Sequence, residues 1–382
     1  MTKTLRTYKL KIISQHPRFA RITASYKEAA NWLSKIVFNR KQVISPNNLS
    51  REFYGKIRED FNLPSQLTCS LFRHITASYR SIKSNKQWEL AVFKKPSIPL
   101  CWKRDFNIRK KGVSIWGELI TFLTRKLPEG KWSDSKLKRI KGNWYLCLII
   151  EIDIPEFKTT GSIIGVDRGQ KNILCAIDPK TNKTLYIKGN ELNHRRLQIR
   201  QIKAKVASVG TRSAKRLLQR LSGREKAVTQ NILHIASKQL VAFAQSVNAN
   251  IITLENLTGF KNGQTKNNKK YHRKQRARNN RWPYALLEFF ITYKAAAYGI
   301  NVSHVPAKNT SRGCPKCGHV SKSNRNGLVF QCEVCNYTDN ADRIGATNVA
   351  LRSLLQRQAV EGRAMCQLAY SSDINQIQAP TL

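Results

Sequence analysis

The chain has 382 residues and carries 68 Lys and Arg against 23 Asp and Glu, a formal charge of +45. Its 41% hydrophobic content, with 7 Trp, 12 Tyr and 14 Phe, is enough for packed cores and excludes a disordered polycation. The longest apolar run, near residues 146–152, falls far short of the roughly 20 residues a membrane span requires, and the opening MTKTLRTYKLKII lacks the apolar core of a signal peptide. A cytoplasmic, nucleoid-associated protein with no membrane role is expected.

In chain order, residues 4–14 read as a strand, with basic and apolar residues interleaved. Residues 22–41 predict an amphipathic helix with Ala29, Trp32, Leu33 and Val37 on one face. Residues 64–83 predict another, led by Pro64, with Leu71, Ile75 and Tyr79 at helical spacing. From about 88 to 155 three stretches are strand-like (88–102, 113–122 and 144–155), broken by Lys, Gly and Pro. Strands are then expected at 162–167, 171–178 and 183–188. Helices follow at about 193–222, with Leu197, Ile202, Leu217, Leu218 and Leu221, and at 224–247, with Val228, Ile232, Ile235, Leu240 and Phe243 near one face. Next come a buried strand at 248–255, a loop at 256–281 and a helix from Pro283 to about Tyr298. Leu286, Phe289, Phe290 and Tyr293 recur at helical spacing there and are expected in the core. A strand at 300–307 and a last helix at about 341–355 complete an α/β alternation over 160–355.

Nine cysteines fall into two classes. Cys69, Cys101, Cys147, Cys175 and Cys366 are scattered and read as small buried hydrophobes. Cys314, Cys317, Cys332 and Cys335 form two C-x-x-C pairs 14 residues apart, the pattern of a four-thiolate structural zinc site rather than of a disulfide framework. His319 is a possible substitute ligand, with solvent exposure the expected reading.

Asp167 ends the first strand of the α/β region, Glu255 ends the strand IITLE, and Asp342 opens the last helix. Taken singly, an Asp before Gly is a turn residue and an Asp ahead of a helix is a cap, the roles assigned to Asp178 and Asp339. As a set at element termini, the three match what two hard divalent ions about 3.5–4 Å apart demand. Magnesium is the expected ion.

The stretch G-V-D-R-G-Q-K-N at 165–172 resembles the first motif of the RuvC-type nuclease domain in TnpB (OrfB) proteins of insertion sequences. T-L-E-N-L at 253–257 resembles the second. N-T-S-R-G-C-P-K-C-G-H at 309–319 and C-E-V-C-N-Y at 332–337 resemble the family's zinc ribbon, and A-D-R-I-G-A-T-N-V at 341–349 its third motif. The resemblance implies an α/β, RNase H-like (RuvC) nuclease domain with an inserted zinc ribbon, preceded by a β-rich wedge module interrupted by a helical recognition insertion at about 20–85. The implied division is 1–157 for the N-terminal module, 158–307 and 339–355 for the nuclease domain, 308–338 for the ribbon and 356–382 for a tail. It implies metal binding and catalysis by Asp167, Glu255 and Asp342, a guide RNA from the element's own end, and cleavage of double-stranded DNA by a monomer on its guide. Two departures stand out. Arg168 replaces a common aliphatic residue, and is placed either on the scissile phosphate or pointing away. Ile344 and Gly345 replace Asn-Ala.

A charge of +45 points to a polyphosphate partner. Residues 194–226 carry eleven Lys or Arg and one acid, Glu225; Arg195, Arg196, Arg200 and Lys203 are expected to follow a nucleic-acid backbone. Residues 261–281 carry nine and no acid. They read as a lid in which Lys269, Lys270, Arg273, Lys274, Arg276 and Arg278 contact phosphates and Tyr271 stacks on a base. Alternatives are a miniature type V CRISPR effector, a transposase or accessory DNA-binding protein without guided cleavage, and a guided repressor that does not cut.

Overall fold

A computed structural model describes residues 2–13, 16–109, 112–122, 130–140, 142–257 and 282–374, with residues 2 and 360–374 as backbone only. The chain divides into two compact units, Met1–Asp153 and Ile154–Leu382.

The first unit begins with β1 (Thr2–Lys11) and three helices, α1 (Pro17–Asn39), α2 (Pro46–Phe61) and α3 (Ser65–Ser84). Short strands β2 (Ile98–Leu100), β3 (Phe106–Arg109), β4 (Gly112–Ile115) and β5 (Glu118–Ile120) lead to a long hairpin, β6 (Lys131–Ile140) and β7 (Asn143–Ile154). One sheet has the order β1-β7-β6-β2 and a smaller one β3-β4-β5. The helix faces expected from spacing are buried at Ala29, Leu33 and Val37 on α1, with Trp32 only half-buried, and at Leu71, Ile75 and Tyr79 on α3. Three elements lie outside the expected set, the first being short β3, which falls between two strand-like stretches. Helix α2 begins at Ser45, whose side chain accepts from the Asn48 N–H, and buries only Leu49 and Ile57. Strand β6 is largely polar and is held by pairing with β7. Residues 88–97 form no strand.

The second unit is built on a five-stranded sheet of β8 (Ser162–Asp167), β9 (Asn172–Ile177), β10 (Thr184–Lys188), β11 (Ala249–Asn256) and β12 (Asn301–Pro306). Its order is β10-β9-β8-β11-β12. The β8–β9 and β9–β10 pairs are antiparallel; β8–β11 and β11–β12 are parallel. Helices α4 (Asn190–Val209), α5 (Arg212–Ser246), α6 (Tyr284–Ala296) and α7 (Ala341–Ile374) surround it. Leu233, Leu240 and Ala244 of α5 with Leu287 and Ile291 of α6 join Ile164, Val166, Ile252 and Leu254 in one core. Helix α7 packs on β8 so closely that a Cβ at Gly165 would lie 2.0 Å from the Ala346 carbonyl oxygen. A three-stranded ribbon, β13 (Arg325–Asn326), β14 (Val329–Gln331) and β15 (Thr338–Asn340), precedes α7.

Several local expectations change. The helix break falls at Gly210, not near Gly223. Gly210 is left-handed at φ 70°, and the Thr211 hydroxyl then caps α5 by accepting from the Ala214 N–H. Gly223 lies inside α5, whose buried stripe leaves Ile235 half exposed. On α6, Phe290 is core, but Phe289 is 62% and Tyr293 37% exposed. The last helix continues to Ile374 rather than ending near 355. Cys175 is buried, while Cys69, Cys101 and Cys147 are only partly so; Cys366 lies outside the described side chains.

Candidate active site and metal centre

The sheet register brings two of the three carboxylates level. Leu254 of β11 pairs with Val166 of the parallel β8, so Glu255 and Asp167 follow at neighbouring strand ends. Alternation along the strands then separates their side chains from the core occupied by Val166 and Leu254. Gly165, two residues before Asp167, faces α7, and a Cβ on Gly345 of α7 would lie 3.1 Å from Asp167 Cγ. Asp342 stands one turn earlier, in the first turn of α7, where the Asn340 side chain accepts from its N–H and from that of Arg343. Asp178 and Asp339 take structural roles, as expected. Asp178 closes a turn by accepting from Lys180 and Thr181, and Asp339 pairs with Arg343 and Tyr337.

Glu255 and Asp342 are buried, at 7% exposure each, and Asp167 is half-buried. Burial, then the charges of Glu255 and Asp342, push Asp167 well above the usual carboxylate range. Burial also raises Glu255, against a hydrogen bond from the Thr310 hydroxyl and the charge of Arg168. Asp342 accepts from Asn172 Nδ2 at 2.9 Å on one oxygen and faces Arg325 Nη2 at 3.3 Å on the other. Asp167 and Asp342 line a cleft of about 930 Å³ with Lys171, Arg196, Arg200, Tyr284 and Arg325; Glu255 is not on its lining. Carboxylate oxygens are the donor type that hard divalent cations take, and two of the three acids face this basic cleft.

The four cysteines converge. Their sulfurs all lie within 4.8 Å of one another, with Cys314–Cys335 at 3.5 Å and Cys317–Cys332 at 3.4 Å. A tetrahedral zinc with bonds of about 2.3 Å sets its sulfurs about 3.8 Å apart, so the cluster fits that ion. Each knuckle is built alike. The Gly318 N–H bonds the Cys314 carbonyl and the Asn336 N–H that of Cys332, and both turn residues are left-handed. Backbone N–H groups of Cys335 and Val334 draw the Cys332 thiol down to about 6, against the effect of burial. His319 is half-buried, 3.6 Å from Glu333. The carboxylates are not gathered so tightly: among the described residues only the cysteines bring ligand atoms within that spacing.

The expected nucleic-acid contacts separate. Arg196 and Arg200 reach the cleft. Arg195 pairs with Glu191 at the surface, and Lys203 is held by Glu225 across the α4–α5 hairpin. Lys269, Lys270, Arg273, Lys274, Arg276, Arg278 and Tyr271 lie outside the described residues. Arg168 settles as a buried ion pair with Glu288 rather than as a phosphate contact. Five further residues emerge: Asn172 and Arg325 on Asp342, Thr310 on Glu255, Asn348 bridging the carbonyls of Thr310 and Gly313, and Gly345 beneath Asp167. Asn172, Thr310, Gly345 and Asn348 stood inside the quoted motifs, Gly345 as one of the departures; Arg325 carried no local signal.

The second unit is therefore a mixed α/β domain with a basic, carboxylate-lined cleft and a four-cysteine ribbon. A family model for the TNB domain of Cas12f1-like proteins matches residues 284–349. A TnpB-like protein of Methanocaldococcus jannaschii is 31% identical over 205 residues, covering 50% of this chain and 69% of the relative. The chain belongs to the TnpB family. A CRISPR-associated endodeoxyribonuclease Cas12f1 from an uncultured archaeon is 26% identical over 250 residues, 59% of this chain but only 46% of that relative. A solved mini-RNA-guided endonuclease, CRISPR-Cas_phi3, superposes with a TM-score of 0.52 at 10% identity, covering 92% of each chain, which is a likeness of fold.

Proposed function

We propose that the protein is an RNA-guided, magnesium-dependent DNA endonuclease of the TnpB type, encoded by a transposable element, with an RNase H-like (RuvC) nuclease domain. The observation that carries this reading is that Asp167 and Asp342 line a cleft with Arg196, Arg200 and Arg325, with Glu255 at the neighbouring strand end and its charge acting on Asp167. Adjacent parallel strand ends that present carboxylates support the nuclease fold, and family membership supports the guided mechanism. The proposed division keeps 158–307 and 339–355 as the nuclease domain, with the ribbon at 308–338 inserted ahead of its last helix.

Asp167, Glu255 and Asp342 would hold the divalent ions. When bound, such ions neutralise charge on a phosphodiester and supply a water that ionises near neutral pH. Arg196 and Arg200 on α4 line the same cleft and bind the backbone there, Arg196 exchanging its 3.7 Å contact with Glu225 for phosphate, and Arg325 presents a guanidinium from the ribbon to the same space. Cys314, Cys317, Cys332 and Cys335 would hold a structural zinc that fixes the hairpin carrying Arg325. Sequence choice falls to base pairing between guide and target strand, with the protein reading only a short adjacent motif and duplex shape.

A second reading, a miniature CRISPR effector, is favoured by the TNB match and the Cas12f1 relative. Expressing the gene with its native downstream flank and sequencing the copurifying RNA separates the two. A discrete RNA running off the gene's end supports the TnpB type, a processed repeat–spacer RNA supports the effector, and heterogeneous cellular RNA contradicts guidance altogether.

A further inference from the structure

Arg168 is the residue of the D-R-G turn that the proposed chemistry leaves unused. The residue borders the cleft, but its side chain has no exposed surface and is turned to Glu288. Nη1 donates to Glu288 Oε2 at 2.7 Å, and Nη2 donates to the backbone carbonyl of Glu255. The other oxygen of Glu288 lies 2.9 Å from His304 Nε2. One guanidinium thus joins the end of β8, the end of β11, α6 and β12. The place of the Glu255 bond matters most. The β8–β11 ladder ends at Val166 and Leu254, one residue short of the two carboxylates. At this end of the ladder the Arg168 side chain adds a bond from just past Asp167 to the Glu255 carbonyl, a further tie between the two strand ends that carry the carboxylates. A planar, always-charged fork suits this task, because it serves a carboxylate and a carbonyl at once.

We propose that Arg168 is a positioning residue that sets the spacing of Asp167 and Glu255, and through it the affinity of the cleft for divalent cations, without touching substrate. The inference rests on reading the carboxylate cleft as a metal site. It concerns the metal-free geometry, so binding can be measured apart from cleavage.

The test is Mn²⁺ binding to the RNA-free, zinc-loaded full chain, with Asp167→Ala giving the background. Arg168→Met should weaken the Kd for Mn²⁺ about tenfold or more, and Arg168→Lys should fall between. Because Arg168→Met strands the charge of Glu288, the double variant Arg168→Met/Glu288→Gln is measured beside it; it should regain thermal stability while still binding Mn²⁺ weakly. With guide and target, the Arg168→Met cleavage rate should recover to within about threefold of wild type at saturating Mn²⁺. Wild-type affinity in the folded double variant would overturn the inference, as would an unchanged Kd with a rate that saturating metal does not rescue. A wild-type chain with no Mn²⁺ binding above the Asp167→Ala background would overturn the site reading and the inference with it.

Discussion

Two glycines at the β8–α7 contact test the packing that brings Asp342 to Asp167. A Cβ at Gly165 would meet the Ala346 carbonyl at 2.0 Å, the Ala350 nitrogen at 2.5 Å and the Ala350 Cβ at 2.8 Å. Ordinary contact begins above about 3 Å, so Gly165→Ala must drive strand and helix apart by roughly 1 Å, and backbone has no rotamer to escape into. Overpacking of this kind costs about 1–3 kcal/mol. For a unit of this size that is a fall in Tm of about 2–12 °C. Misplacement of catalytic groups by 1 Å lowers rates about 100-fold. Gly345→Ala is the control on the same interface. Its Cβ would meet only the Asp167 side chain, at 3.1 and 3.2 Å, and a few tenths of an ångström relieve it. Replacing a helical glycine by alanine gains about 1 kcal/mol, so Tm should hold or rise, with the rate reduced about threefold at most. Thermal melts and single-turnover cleavage of guide-matched DNA measure both variants. If Gly165→Ala melts within a degree of wild type, or if Gly345→Ala is the more damaging of the two, the packing argument is wrong.

The remaining predictions concern charge and metal. Asp167 is held above its unfolded value of about 3.9, so the metal-free fold keeps its proton more tightly than the unfolded chain. That contribution to stability is complete below about pH 4 and is lost as pH rises through the folded pKa. Metal-free wild type should therefore lose Tm as pH rises above the usual carboxylate range, and Asp167→Asn should lose less; parallel declines would acquit Asp167. Cys332→Ser should bring bound zinc, measured by elemental analysis, from one per chain to below half and lower the Tm; full zinc content would break the four-thiolate assignment. Arg196→Ala and Arg200→Ala should each reduce the slope of log K against log salt for nucleic acid by about one, while Arg195→Ala, paired with Glu191 on the surface, should hardly change it. Equal effects at all three would mean that the cleft wall is not the contact surface.

Strong local patterns translated well. The apolar stretches that became β8, β9 and β11 stand where expected, because a strand buried on both faces leaves a dense apolar signature. Polar β6 left none, since its order comes from its partner strand. The α4–α5 break was present as Gly210-Thr211, a left-handed stop followed by a capping hydroxyl, but Gly223 is the rival signal, and a long helix absorbs a lone glycine. Phe289 shows the limit of periodicity, which finds an apolar stripe without saying how much of it a neighbour covers. At the candidate site, spacing singled out the four thiols, which converge, and the resemblance to TnpB proteins, more than residue type, singled out the three carboxylates. Their supporting contacts did not follow, because Arg325 on Asp342 and Arg168 on Glu288 join residues 17 and 120 positions apart, and no window along the chain contains the latter pair.

The most direct test of the account is cleavage by the guide-loaded protein of plasmid DNA bearing the guide match beside a randomised flank, with Mg²⁺ or with chelator, for wild type and Asp167→Ala. The account predicts cutting only at the match, next to a short enriched flank, dependent on Mg²⁺ and absent from Asp167→Ala, which should still bind the target. Cutting that persists in Asp167→Ala, or that ignores the guide, would contradict it.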